Sequence, residues 1–442
     1  MINNRKLGDS EQVMEILNRY GGSTNIVIIS RIKGKIREDF LRQTLDLLQC
    51  IHPRLNSRIV GSLDALSFTN EEIHQIPLTL VVHTENKHWQ DVALEELNKA
   101  IDSSKVLMRC ILIYNQTENN TTYLITTIHH GIADGLSSIR LQSELLKYYK
   151  MIASGDSIDR AYSLPAIPSL DELLPQWMMG ISGVINGALF LFNLTLKMAL
   201  YQPETLEHEE DAPLESRRCS MTHRFLEKEV TQKLVKLCHQ ENTTVHGALC
   251  AAILITVAER IRAGKIRKIN TSCRSFLDLR RRLEPVVPHE NMGSLASFLT
   301  SFHTLTPQLL FWDLARDVTQ QIQCGLREKD FFKSLRMGRK IIEYYLDHPD
   351  DTSLTISVTN LGRLNIPEVY GNFELEEIIF VPSNVIFGRV FTAAVSTFKD
   401  KMTLNFLVSK PSISQETMEI IANGVINCLV EVCEEKVVRA VQ

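Results

Sequence analysis

The chain has 442 residues, 44 % hydrophobic and 23 % charged, an ordinary globular composition with room for two to three domain equivalents. Its net charge of −4, with no basic stripe interleaved with aromatics, argues against a nucleic-acid groove. Nine cysteines, odd in number and scattered without a Cys-x-x-Cys pair, argue against a zinc site or a disulfide frame and for a reducing compartment. Residues 1–9 lack the apolar core of a signal peptide, so a cytoplasmic location is expected.

In chain order, Val13, Met14, Ile16 and Leu17 predict a helix over 7–20, and 26–32 reads as a buried strand. Leu41, Leu45 and Leu48 predict a helix over 38–51, which His52-Pro53-Arg54-Leu55 ends. Short strands are expected at 57–60, 78–83 and 107–114, with a helix at 89–101. The last strand is expected to pair with 121–128 as a hairpin across the polar cluster 115–120.

The most informative stretch follows. Residues 122–128 alternate in the manner of a strand, which runs into His129, His130 and Gly131, then Asp134 and Gly135. Leu136, Ile139, Leu141, Leu145, Leu146 and Tyr149 then predict a helix. Two histidines therefore stand at a strand end, on a rigid element that opens into a tight turn. An unperturbed imidazole titrates near ~6.5, so His130 is available as a neutral base at cellular pH. His129 points the other way along the strand and is read as structural. Glycines on both sides let the Asp134 turn fold sharply.

Beyond 151, Pro165, Pro168 and Pro175 mark extended chain. Residues 177–201 are strongly apolar, 178–196 carry no charge, and 207–211 form an acidic run. The length allows a membrane span. However, Ser182, Asn186, Asn193, Thr195 and three glycines interrupt the stretch, and no basic flank or second span accompanies it. It is read as a helix that packs on the protein or dips into a membrane surface. The second half restarts with a strand at 223–226 and helices at 231–239 and 244–258, where His246 is a helix-start residue. A strand from 269 leads into a basic turn at Arg280-Arg281-Arg282, which suits a solvated face or an anion grip. Helices at 314–325 and 330–346, a strand from 352 ending in Thr359-Asn360-Leu361-Gly362-Arg363, strands at 390–398 and 402–408, and a helix at 414–433 complete the chain.

The pattern His129-His130-x-x-x-Asp134-Gly135 resembles the signature of the acyltransferase superfamily that includes chloramphenicol acetyltransferase, peptide-synthetase condensation domains, and plant alcohol and carnitine acyltransferases. The segment His52-Pro53-x-Leu55 resembles the end of the first helix in condensation-like members. Asp278-x-Arg280-x-Arg282-Leu283, followed by Pro285, Pro288 and Asn291-Met292-Gly293, resembles the plant segment that supplies an arginine to the signature aspartate. Thr359-Asn360-Leu361-Gly362-Arg363 resembles a segment of the polyketide-associated members. The resemblance is greatest to the phthiocerol dimycocerosyl transferase group. The plant motif Asp-Phe-Gly-Trp-Gly is missing, which argues against that group.

The resemblance implies an α/β fold of two chloramphenicol acetyltransferase-like halves, a pseudo-dimer with a substrate tunnel between them. The expected domains are an N-terminal half at 1–175, an apolar helix and acidic linker at 176–215, and a C-terminal half at 216–442. It implies an O-acyltransferase that uses His130 as general base, with no tightly bound cofactor and no metal. Acyl-coenzyme A or a phosphopantetheinyl acyl-carrier protein would be the donor, an alcohol the acceptor, and a carrier protein or polyketide synthase a partner of a monomeric chain. Arg280 is the expected partner of Asp134, a pair that with Gly135 supports the turn, and Thr359 and Asn360 are expected to contact the oxyanion or acceptor. The alternatives are a condensation domain that forms an amide with an amine, and a non-catalytic domain that binds a carrier protein.

Overall fold

The computed structural model describes residues 4–20, 24–83, 88–115, 121–157 and 163–434. The hairpin turn expected across 115–120 falls at 116–120, outside the described residues. The chain divides into two compact units. The first comprises Met1–Pro175, Leu279–Leu295 and Leu364–Ser383, and the second Gln176–Asp278, Ala296–Arg363 and Asn384–Gln442. The fold is thus α/β in both units, and the division differs from the expected ranges. The stretch 176–215 is part of the second unit, not a linker, and two segments of the expected C-terminal half are built into the first.

The first unit holds a six-stranded sheet in the order Val369–Tyr370, Phe373–Pro382, Asn25–Lys33, Thr121–His129, Met108–Asn115, Leu78–His83. Only the last pair is parallel. Ile26, Val27, Ile28 and Ile29 are all buried, because both faces of this inner strand are covered. The helix Trp89–Asn98 packs on the sheet, as does Gly135–Ala153, which also packs against Glu38–Ile51. The strand Thr121–His129 lies near the middle, between Asn25–Lys33 and Met108–Asn115. Its C-terminal end is therefore held on both sides, with His129 opposite Asn25 and Ile128 opposite Met108. A smaller sheet joins Arg5–Lys6, Ser67–Thr69 and Arg58–Val60.

The second unit also holds six strands, in the order Ala296–Leu305, Ile269–Asp278, Ile356–Arg363, Phe391–Phe398, Lys401–Lys410, Arg218–Leu226. Register alternation divides its two faces. Cys273, Ile356, Val358, Ala393, Val395, Leu404 and Phe406 join the apolar core with the helices Val245–Arg262 and Gln415–Cys433. Arg274, Ser357, Thr359, Thr392 and Asn405 occupy the other face. The small residues Gly247, Ala248, Ala251 and Ala252 let the first of those helices sit close to its neighbours.

Besides the two- and three-residue strands Arg5–Lys6, Ser67–Thr69 and Val369–Tyr370, two long strands escaped the sequence reading, for physical reasons. Ala296–Leu305 buries Ser297, Ser301 and His303, each with a hydrogen-bond partner: Ser297 donates to the Phe331 carbonyl at 2.6 Å, His303 Nδ1 pairs with Asp317 at 2.6 Å, and its Nε2 lies 2.8 Å from Ser301 Oγ. A buried but polar face gives no hydrophobic alternation. Phe373–Pro382 is acidic and changes register between Leu375 and Glu377, which breaks its period. The single helix expected over 330–346 is two, Asp330–Leu335 and Gly338–Asp347. The break falls at Arg336, whose Nε donates to the Met178 carbonyl at 3.1 Å, just before the poor helix former Gly338.

Candidate active site

The turn after Thr121–His129 is fixed by two groups of contacts, both inside the first unit. His129 is fully buried. Its Nδ1 accepts the Gly131 N–H at 3.0 Å, which places the ring proton on Nε2, 2.9 Å from Glu15 Oε2. Glu15 also accepts from Ser103 and Arg19, each at 2.6 Å. Burial works against ionisation of Glu15, but His129, Ser103 and Arg19 outweigh it and hold the carboxyl below its usual range. A Cβ on residue 131 would stand 3.0 Å from His129 Nδ1, so a glycine suits that close approach. His129 is thus spent on structure.

Glu15→Gln keeps an acceptor for His129 but loses the charge. It is expected to cost about 1–3 kcal/mol in urea unfolding near neutral pH. Because the native carboxyl titrates low, its contribution is present above the unfolded value near ~4 and lost as pH falls through the folded one, so wild type and variant should converge in acid. A constant gap down to the acid transition would contradict this account.

Asp134 is the N-cap of the helix Gly135–Ala153, and Gly135 is that helix's first residue. Its carboxylate accepts the Ser137 N–H at 2.9 Å, the Leu295 N–H at 3.0 Å, and both ends of the Arg280 guanidinium at 2.8 and 3.1 Å. Arg280 further donates to Ser137 Oγ at 2.6 Å. The pair is deeply buried, with Arg280 2 % and Asp134 4 % exposed. Burial pushes the Asp134 carboxyl up, but Arg280 and the N–H donors hold it below the ordinary value. Its backbone N–H reaches the Gly293 carbonyl at 3.1 Å. Segment Leu279–Leu295 is therefore clamped to the turn through Arg280, Gly293 and Leu295.

His130 is left between these two anchors. Its backbone N–H donates to the Thr24 carbonyl at 3.3 Å, continuing the sheet edge. The residue is partly exposed, with Nδ1 buried beside the backbone of His130 and Ala133, yet without a hydrogen bond of normal geometry. Burial holds its pKa below 6.5, more than the nearby Asp134 charge and these backbone groups raise it. The result is a neutral imidazole, not bound by a side-chain partner among the described residues.

In the second unit, Thr359 and Asn360 lie in the middle of the strand Ile356–Arg363, just before its register changes, both partly exposed. Asn360 Oδ1 accepts the Gly362 N–H at 2.8 Å in a turn where Gly362 has φ +70°. That leaves its amide N–H groups as the free end. Thr359 shares the polar sheet face with Arg274 and Ser357.

Sequence reasoning missed Glu15, Ser137 and Leu295. The spacing Asp134-x-x-Ser137 is a helix N-cap signal that could have found Ser137. Glu15 sits on a remote helix with no motif, and Leu295 contributes only its backbone. His52, read as a helix stop, does cap the helix Glu38–Ile51, and its Nε2 also meets Glu144 at 2.8 Å. His246, in the first turn of its helix, pairs with Ser275 Oγ at 2.8 Å, and burial lowers its pKa to about 4. Among the described residues no cluster of His, Cys, Asp and Glu is arranged to hold a metal.

Residues 215–407 match the family model described as Phthiocerol/phthiodiolone dimycocerosyl transferase C-terminus. A plipastatin synthase polypeptide of Bacillus subtilis (strain 168) is 22 % identical over 325 residues, 70 % of this chain but 12 % of that protein. The chain thus spans a small part of the curated relatives it matches. Polyketide synthase associated protein 5 from Mycobacterium tuberculosis superposes with TM-score 0.70 at 19 % identity, covering 98 % of both chains. TRI3 trichothecene 15-O-acetyltransferase from Fusarium sporotrichioides gives 0.74 at 12 %, over 97 % of this chain and 94 % of that one. The first condensation domain of the calcium-dependent antibiotic synthetase gives 0.72 at 12 %, over 99 % and 98 %. The fold is that of the condensation-domain-like acyltransferases.

Proposed function

We propose that this chain is an O-acyltransferase in which His130 is the general base. The carrying observation is the division of labour at one strand end. His129 is committed to Glu15 and Asp134 to Arg280, while the intervening imidazole is neutral, partly exposed and unpartnered. Similarity to a family of dimycocerosyl transferases and the shared fold of an O-acetyltransferase support the reaction class.

In this reading His130 Nε2 takes the proton of an acceptor hydroxyl as its oxygen attacks the carbonyl of an acyl thioester. The tetrahedral oxyanion collapses, the C–S bond breaks, and the leaving sulfur takes the proton back from the imidazolium. The ester and the thiol are the products, and no covalent acyl-enzyme intervenes. An oxyanion needs donors, and the free amide N–H groups of Asn360 and the Thr359 hydroxyl have the right chemistry for that role. The thioester would be carried by coenzyme A or by the phosphopantetheine arm of a carrier protein. Asp134 and Arg280 position the turn and move no proton.

The test is thiol release from acyl thioesters, with long-chain alcohols as acceptors and ester formation followed by mass spectrometry. Release with ester formed supports the reading; thioester consumed without ester, from either kind of donor, overturns it. Similarity to a plipastatin synthase and to a condensation domain favours a second reading, an amine acceptor and an amide product. Amines in the same panel decide between them. A chain that binds loaded carrier protein and turns over nothing would be a non-catalytic domain.

The pH profile carries its own expectation. A base works deprotonated, and burial lowers the pKa of His130, so the acid limb of kcat/KM should fall below pH 6.5. An acid limb above 6.5 would contradict a desolvated His130 as the base.

A further inference from the structure

We propose that the helix Gly180–Tyr201 docks the second unit onto an anionic lipid surface. Along this helix Gly183 and Gly187 are buried, and the other positions are partly or largely exposed. Ile181, Ile185, Leu189, Phe192, Leu196 and Leu200 recur at steps of three or four, so they form one stripe along the helix. That stripe faces solvent: Ile181 is 81 % exposed, Phe192 65 % and Leu200 73 %. A contiguous apolar face of this length marks an interaction site.

The opposite side of the helix is pinned to the second unit. Gly183 and Gly187 are its buried positions, and a Cβ at Gly187 would stand 3.1 Å from Arg336 Cβ. At the far end, the Tyr201 carbonyl accepts from Asn270 Nδ2 at 2.7 Å, and its ring lies 5.3 Å from Phe302. A helix held at both ends along a folded unit presents its outer face sideways, so it lies in an interface rather than crossing it.

Charge selects the partner. Lys197 is the only charged residue of the helix. The neighbouring stretch 329–340 holds Lys329, Lys333, Arg336, Arg339 and Lys340 against one acid, Asp330. Asp330 pairs with Lys333 and Glu343 with Arg339, leaving Lys329, Arg336 and Lys340 without an acidic partner among the described residues. Arg336 and Met337 lie under Gly187 on the pinned side of the helix, while the exposed Lys329 stands over the Trp177 ring, 5.5 Å from its centre, just before the helix begins, so this cationic stretch flanks the helix. An apolar helix face beside a basic rim matches acyl chains beneath anionic headgroups. A second copy docked on the same face about a twofold axis would bring the rim toward its own image, which like charges oppose.

Flotation with phosphatidylcholine vesicles, with and without phosphatidylglycerol, tests this. Wild type is expected to float, more strongly with the anionic lipid. The double variant Phe192→Asp, Leu196→Asp should lose about tenfold or more of its partitioning on both vesicles. The double variant Lys329→Glu, Lys340→Glu should lose only the anionic increment. Circular dichroism checks that each variant is folded, and Phe192→Ser is read instead if the aspartate pair unfolds. Wild type that floats with neither vesicle overturns the proposal, as does an aspartate pair that floats like wild type. A dimer in light scattering that the aspartate pair dissolves also overturns it, since a second copy then covers the stripe. Every readout is binding, so the result stands whether or not the chain transfers acyl groups.

Discussion

His130→Ala is expected to lower thiol release by roughly 10²–10⁴-fold while leaving stability nearly unchanged. Both halves follow from how the residue is held. Its imidazole, though largely buried, has no side-chain partner among the described residues, so its removal orphans no buried polar group. Its neighbour gives the opposite result. His129→Ala deletes a fully buried ring and leaves Glu15 Oε2 without its partner, and should unfold at clearly lower urea while any damage to turnover follows the loss of folded protein. Side-by-side unfolding curves and initial rates separate the two histidines. Turnover of folded His130→Ala within tenfold of wild type would remove His130 from the mechanism.

The second large effect is on the clamp. Arg280→Met leaves the Asp134 carboxylate buried beside its N–H donors without its cation, and Asp134→Asn strands the guanidinium instead. Removing one partner of a buried ion pair costs about 3–5 kcal/mol. Each single variant should lose stability of that order, and the double variant should lose less than their sum, because the two singles destroy one shared interaction. Arg280→Lys should not rescue. A single ammonium cannot make the paired contacts at 2.8 and 3.1 Å while also reaching Ser137 Oγ. The native Asp134 carboxyl titrates below its ordinary value, so its contribution holds above about pH 4 and fades as acid protonates it. Additive losses in the double variant would show that the two side chains do not act as a pair. Since Asp134 caps the helix that follows His130, turnover should also fall in these variants, through displacement of the turn rather than loss of a proton carrier.

The local chemistry was legible in the sequence. A strand that ends in His129 and His130, a glycine turn and an amphipathic helix are all set by spacing over a few residues, and the structure has each of them. Helix 38–51 and strand 78–83 likewise follow from period alone. Periodicity could not show which polar groups are buried and paired. The strand Ala296–Leu305 hides its serines and histidine behind hydrogen bonds from distant elements, so its pattern reads as loop. Glu15 lies on the first helix of the chain, and nothing near it announces His129.

The unit boundaries show the same limit. Leu279–Leu295 and Leu364–Ser383 are surrounded in sequence by the second unit, yet they complete the first: one brings Arg280 to Asp134, and the other adds Phe373–Pro382 beside Asn25–Lys33. By itself the sequence determined the strand, turn and helix that carry His130, because these depend on φ/ψ preference and a short apolar period. Only the tertiary structure decided that Glu15 holds His129, that Ser137 and Leu295 join the expected Arg280 on Asp134, and that the apolar stripe of 180–201 faces solvent. Those outcomes depend on desolvation and on partners far along the chain, which local spacing does not encode.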